Sequence, residues 1–411
     1  MDDTPVLSAF EKDKLKYPMM EGCTFDPRLL GTKAILCPTP QFNSSQRMAM
    51  LSSNIVQALI PYGAEVPAVA SGFENKFLDY TFNSARMPQS GKTVACIPKY
   101  VIHAGRAPIR FNPSYVLVFI GDKDGKVHYI EVQRYTKCTD GFGYPNKVNE
   151  TLLRRDIHIP EGTLIGHSPA VQGEKYCLGL NANVAYMSMK ETVEDAFVMS
   201  KSLAERMGST AIKTLVVNID KNMVPLNLYG SSDDYKIIPD LHENVRADGV
   251  ICGFRTVNDA SMIADMTDES LMNLQYHHDD IYFAAAPNAT IIDIDIYRNP
   301  NRSVKTPSHV FGQIDKYIEN SLTFHRSIID VYEKECLKEH REPSPAFVVL
   351  VERAKQILAA NREKIRGIKS VPKFTYKSEP IRYIQLVITY MYENKVTKGS
   401  KSTGREGAGQ L

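Results

Sequence analysis

The chain has 411 residues, too many for one ordinary domain, so two or three are expected. Hydrophobic residues make up 43% and charged ones 23%, the makeup of an ordinary soluble protein with a real core. The formal net charge is +2 and no charged block is long enough for a disordered tail, although basic residues gather near the C-terminus. Seven cysteines are scattered singly with no Cys-x-x-Cys pair, which argues against structural zinc and suits a reducing compartment. The opening MDDTPVLSAFEKDK has no apolar core and reads as no signal peptide, and no apolar run approaches bilayer length.

In chain order, residues 1–43 are irregular. SSQRMAMLSSNIVQALIP then predicts a helix, with Ser44 or Ser45 as its cap, an apolar stripe of Met48, Leu51, Ile55 and Leu59, and Pro61 beyond its end. Arg47, Asn54 and Gln57 lie off that stripe, and a solvated polar face is their default reading. From about 62 to 190 short strands and turns are expected. SYVLVFIGDKDGKVHYIEVQ predicts a hairpin around Asp124-Gly125. NVAYMSM predicts a strand leading into a helix over TVEDAFVMSKSLAERMG, with Thr192 and Asp195 at capping-box spacing and Gly208 as its stop.

Residues 209–300 return to strands, including TIIDIDIY. Two helical patterns follow at 308–369, striped by Ile314, Ile318, Leu322, Ile329, Tyr332 and Cys336 and then by Leu350, Ala354, Ile357 and Ile365. EPSP breaks them into a helical hairpin. IRYIQLVITYMY predicts a last strand, and KGSKSTGREGAGQL ends the chain as a glycine-rich, basic loop of the kind that approaches phosphate.

Several stretches carry candidate chemistry. GKT at 91–93 lacks the P-loop's earlier glycine, because position 86 is arginine and Pro88 sits inside the would-be loop. Asp122, Asp124 and Gly125 resemble a calcium loop whose distal glutamate would fall at Gln133, so a hairpin turn explains them better. His277–Asp280 offers four adjacent potential ligands, which point apart on either a strand or a helix and favour a solvated loop. Asp293 and Asp295 would share one strand face opposite Ile292, Ile294 and Ile296. Glu194 and Asp195 either cap a helix or face a divalent metal or its water shell; locally the capping reading is favoured.

Taken in order, these pieces resemble the β-type, second-largest subunit of multisubunit DNA-dependent RNA polymerases. NSSQRMAMLSSNIVQALIP followed by VASGFE is similar to that family's helix and "TGME"-like turn near the fork. IPEGTLIGHSP and LGLNANVAYMSMKETVEDAFVMSKSL resemble the block holding its Glu-Asp pair. ADGVICGFR and ATIIDIDIYRNPN resemble flap strands, and VITYMYENKVTKGSKSTGREG resembles the block ending in its lysine-rich loop. The collinear resemblance runs from about residue 40 to 407.

The resemblance implies an α+β, β-rich chain with a partial double-psi β-barrel, an inserted flap domain and a helical hairpin. Its expected parts are a fork-proximal region at 1–89, first barrel part at 90–207, flap-like domain at 208–375 with the hairpin at 308–369, and barrel return with lysine loop at 376–411. It implies that Arg47 and Gln57 lie near the incoming nucleotide or RNA end, Glu194 and Asp195 beside the second metal and triphosphate, Lys401 at the RNA 3′ region, and Arg405 near phosphate. The cofactor implied is Mg2+, whose three-aspartate site belongs to a β′-like partner.

Implied partners are other β-like and β′-like fragments, DNA template, nascent RNA and nucleoside triphosphates, with no membrane. Split β-like subunits of this kind resemble those of giant bacteriophages, which implies host cytoplasm or virion. Departures are Glu406 where the family has histidine and Gly409 where it has a second lysine. A split or intron boundary within the loop is the expectation they raise. Two rivals are a structural assembly subunit without catalytic contribution and a metal hydrolase built on His277–Asp280.

Overall fold

The computed structural model describes residues 34–38, 42–75, 84–99, 114–139, 142–185, 187–190, 196–231, 234–256, 280–299, 310–368, 375–376 and 379–404. Over these the chain is α+β and strand-rich, and every ladder between its strands is antiparallel.

Helix α1 (Ser45–Gln57) begins where its sequence says it should. Ser44 is extended, and its hydroxyl accepts the Arg47 backbone N–H, a cap worth about 1 kcal/mol. Leu51 and Ile55 are buried against Cys37, with Met48 and Leu178 beside them. The helix stops at Gln57 because Ala58 turns extended. Leu59 therefore leaves the predicted stripe and is exposed. The VASGFE turn that follows is closed by Glu74, whose buried carboxylate accepts the Ser71 and Gly72 backbone N–H groups at 2.8 and 2.9 Å.

Strands β1 (Gly91–Pro98), β2 (Tyr115–Gly121) and β3 (Val127–Val132) form a meander, with His158–Ile159 added beside the start of β1. The unbroken apolar run of β2 is explained by burial on both faces. Val116 and Val118 face one core, while Leu117 and Phe119 face another with Met87, Ile159 and Ile165. The Asp124 turn forms the predicted hairpin: its carboxylate accepts the Lys126 backbone N–H and meets His128 at 2.9 Å.

A second hairpin, β4 (Tyr135–Thr139) and β5 (Phe142–Pro145), follows. The expected strand over NVAYMSM does not form in its described residues. The helix expected from Thr192 is likewise corrected: residues 196–200 are not helical, and α2 spans only Lys201–Arg206. Ser200 caps α2, its hydroxyl accepting the Leu203 backbone N–H. Thr192, Glu194 and Asp195 lie outside the described residues.

Next come β6 (Ser209–Ile219), β7 (Met223–Pro225), β8 (Val250–Thr256), β9 (Ile281–Ala284) and β10 (Thr290–Arg298). β7, β8 and β9 form one sheet. A bulge between Ile291 and Asp293 shifts the register of β10, so Ile291 and Ile294 reach the core and Ile292 departs from the predicted alternation. Helices α3 (Gly312–Tyr332) and α4 (Pro345–Ala360) form the expected hairpin, joined through a π-helical segment at Glu333–Lys338. Pro345 occupies the first turn of α4 and Ser344 caps it. Ile365 lies past the end of α4 rather than on it.

Strand β11 (Ile384–Asn394) pairs with β6 on one side and β10 on the other. Helix α3 then links two cores. Its Ile314 and Tyr317 pack over β6–β11–β10, while Ile328 and Ile329 pack with α4 against β1–β3.

Candidate functional site at a strand-end junction

Four distant stretches meet where β6 begins and β11 ends. Ser209 pairs with Asn394 and bridges to Pro61, and the Tyr62 N–H donates to Gly208 O at 3.0 Å. This ties the exit of α1 to the root of the loop that carries Lys401. A second tie lies beside it. Glu65 bridges to Gly179, its N–H donating to Gly179 O at 2.8 Å.

The Glu65 carboxylate accepts the Asn181 N–H at 3.0 Å and its side-chain amide at 3.2 Å, and it pairs with Arg206 of α2. Asn181 also donates to Val66 O and accepts the Ala68 N–H, both at 2.9 Å. The Asn181 backbone N–H, followed by Arg206, holds the Glu65 carboxyl below the usual carboxylate range against partial desolvation. Burial pushes the Tyr62 phenol up, partly offset by its hydrogen bond with Thr210.

The proposed site residues distribute unevenly about this junction. Gln57 is the last residue of α1, exposed, four positions before Pro61. Arg47 is exposed in the first turn, so about 15 Å of helix axis separates it from Gln57. Lys401 is exposed beyond β11, just after a turn in which Ser400 N–H donates to Thr397 O at 2.9 Å and Gly399 takes φ +89. That left-handed turn is the place where glycine is required. Glu194, Asp195 and Arg405 lie outside the described residues, although the 179–190 segment held by Glu65 leads directly to the first two.

Several large apolar side chains in the segments flanking these ties are exposed. Phe42 (82%), Met187 (65%) and Val198 (59%) are mostly exposed, and Val69 and Val184 about half so.

The other candidates resolve into structure. Gly91 starts β1, where a Cβ would meet Ile120 O at 2.4 Å; Lys92 pairs with Asp156; and the buried Thr93 hydroxyl donates to Arg154 O at 2.7 Å. GKT is thus a strand, as its departures from the P-loop pattern imply. Asp280 corrects the solvated-loop reading. Its side chain is fully buried and receives Nε and Nη2 of Arg255 at 2.8 and 2.9 Å, while His277, His278 and Asp279 lie outside the described residues. No three or more His, Cys, Asp or Glu side chains gather as a metal site among the described residues, nor is any described helix long and apolar enough to cross a membrane.

Sequence reasoning missed Glu65, Asn181 and Arg206, because their partners are distant in the chain and no local pattern connects them. It also missed a Lys99–Asp293–Asp295 cluster, whose one signal was two aspartates alternating with isoleucines on a strand.

Neither a comparison with protein-family models nor one with curated protein sequences finds a match for this chain.

Proposed function

We propose that the chain is a fragment of the β-like subunit of a multisubunit DNA-dependent RNA polymerase, split as in giant bacteriophages and acting in the host cytoplasm or virion. The observation that supports it most is the Pro61–Ser209–Asn394 junction, where the end of the first resembling block and the last one meet at Ser209, six residues past the Glu-Asp block. In this reading 90–207 and 376–411 contribute to a double-psi β-barrel, with a flap-like module at 208–375.

Each residue then has a task. Lys401 holds positive charge against the RNA 3′ region, and Arg405 does so against backbone phosphate. Arg47 and Gln57 orient the incoming nucleotide and RNA end from opposite ends of α1. Glu194 and Asp195 hold ordered water beside the triphosphate. Such charge-assisted contacts are worth about 1.5–3 kcal/mol each, or roughly ten- to a hundred-fold in rate where they form mainly in the transition state.

Mg2+, when bound, supplies charge neutralisation at the attacking 3′ oxygen and departing pyrophosphate. Its principal ligands belong to a β′-like partner. The carboxylates of Glu194 and Asp195 suit contact with its waters, not primary coordination.

The exposed apolar side chains of Phe42, Val69, Val184, Met187 and Val198 favour a second reading, an assembly subunit that contributes surface alone. Purification of the chain from infected cells tests the proposal. A co-purifying polypeptide with three clustered aspartates is expected; recovery without any polymerase-like partner would overturn it.

A further inference from the structure

A set of charged groups lies away from that junction, where the β1–β3 sheet meets β6–β11–β10. Lys99, the residue after β1, places Nζ 2.9 and 3.0 Å from the two Asp293 oxygens and 3.0 Å from Asp295 Oδ1. The Tyr135 hydroxyl of β4 donates to Asp293 Oδ2 at 2.7 Å. The side chains of Lys99, Asp293 and Asp295 are 25%, 13% and 38% exposed.

Asp293 sits opposite Thr389 in β11, whose hydroxyl is 3.3 Å from that of Thr214 in β6. Lys137 of β4 donates to Thr214 at 3.1 Å. Polar contacts thus run from the end of β1 across all three strands of the second sheet.

Nothing in this set is poised for chemistry. Burial works against the Lys99 charge, but Asp293 and then Asp295 outweigh it and keep the ammonium charged beyond its ordinary range. Burial, then Asp293, keeps the Tyr135 phenol protonated. A lysine and a tyrosine held in these states serve as neither nucleophile nor base near neutral pH.

We propose that Lys99, Asp293, Asp295 and Tyr135 form an ionic latch fixing β10, and with it β11, against the end of β1. Asp293 has three donor contacts, while Asp295 shares what remains of one ammonium. Among the described residues, the charged and titratable groups facing the latch include Arg353 of α4, near Asp295; His242, near Asp293; and His325 of α3, near Lys99. Burial keeps both histidines neutral, His242 being pushed down to about 4, so neither supplies the missing positive charge at neutral pH.

Burial, with Asp293 adding to it and Lys99 opposing, raises the Asp295 pKa. The folded chain therefore holds a proton there more readily than the unfolded chain does. The stability this contributes is present at low pH and is lost as pH rises through the folded value.

Chemical denaturation of the full chain at about pH 5.5 and about pH 8 tests the latch. Lys99→Met should lower the folding constant about tenfold or more at the higher pH, by leaving paired carboxylates uncompensated, and less at the lower pH. Adding Asp295→Asn to Lys99→Met should recover most of the loss. Should Lys99→Met not fold, Asp295→Asn alone still reports, its stability relative to the parent increasing as pH rises. A Lys99→Met variant as stable as the parent at both pH values, or a loss that Asp295→Asn does not recover, would overturn the proposal.

Discussion

The carboxylate of Glu65 accepts the backbone N–H of Asn181 at 3.0 Å, tying the segment after α1 to the segment that leads to Glu194 and Asp195. Because the folded Glu65 sits below the usual carboxylate range, its contribution is present above the unfolded pKa of roughly 4.3 and fades as pH falls through the folded value. Hydrogen exchange across 179–182 should be slow at neutral pH and accelerate on acidification. In Glu65→Gln it should be fast at neutral pH and respond little to acid. Equal neutral-pH protection in parent and variant would show that the tie is not set by this carboxylate.

Gly91→Ala separates the strand reading of GKT from a phosphate loop. Its Cβ would press on Ile120 O, a backbone atom, so β1 and β2 must shift at a cost of about 1–3 kcal/mol, measurable in urea. Any ATP binding that calorimetry detects in the parent should be unchanged by Lys92→Ala. ATP affinity that disappears on Lys92→Ala would restore the P-loop reading.

Asp280→Asn should destabilise the chain by about 3–5 kcal/mol, because it leaves Arg255 without its bidentate carboxylate partner. Denaturation monitored by circular dichroism reads this directly. A folded, equally stable variant that had lost a metal-dependent hydrolase activity would instead revive the His277–Asp280 rival.

Local patterns made a large part of the fold legible. Ser44 caps α1 as the sequence suggests, Asp124-Gly125 turns the hairpin, and EPSP breaks the helical pair, with Ser344 and Pro345 starting α4. The failures have a common cause. The sequence reading begins the helix at Thr192, whereas Ser200 caps α2, and that choice takes tertiary context that the local spacing does not carry. The pairing of Ser209 with Asn394, and the convergence of Lys99 on Asp293, are long-range contacts whose strands give no sign of their partners. For the candidate site, the residue types come as expectations from the resemblance, while the Glu65–Asn181–Arg206 tie is visible only in three dimensions.

The central claim is that Lys401, on the loop rooted at this junction, acts on the RNA 3′ end in an assembled polymerase. Single-nucleotide addition by the reconstituted enzyme tests it most directly, with Lys401→Ala compared with the parent at saturating nucleotide. The account predicts a rate lower by roughly ten- to a hundred-fold with assembly intact. An unchanged rate in a fully assembled enzyme would contradict it and leave the chain a structural subunit.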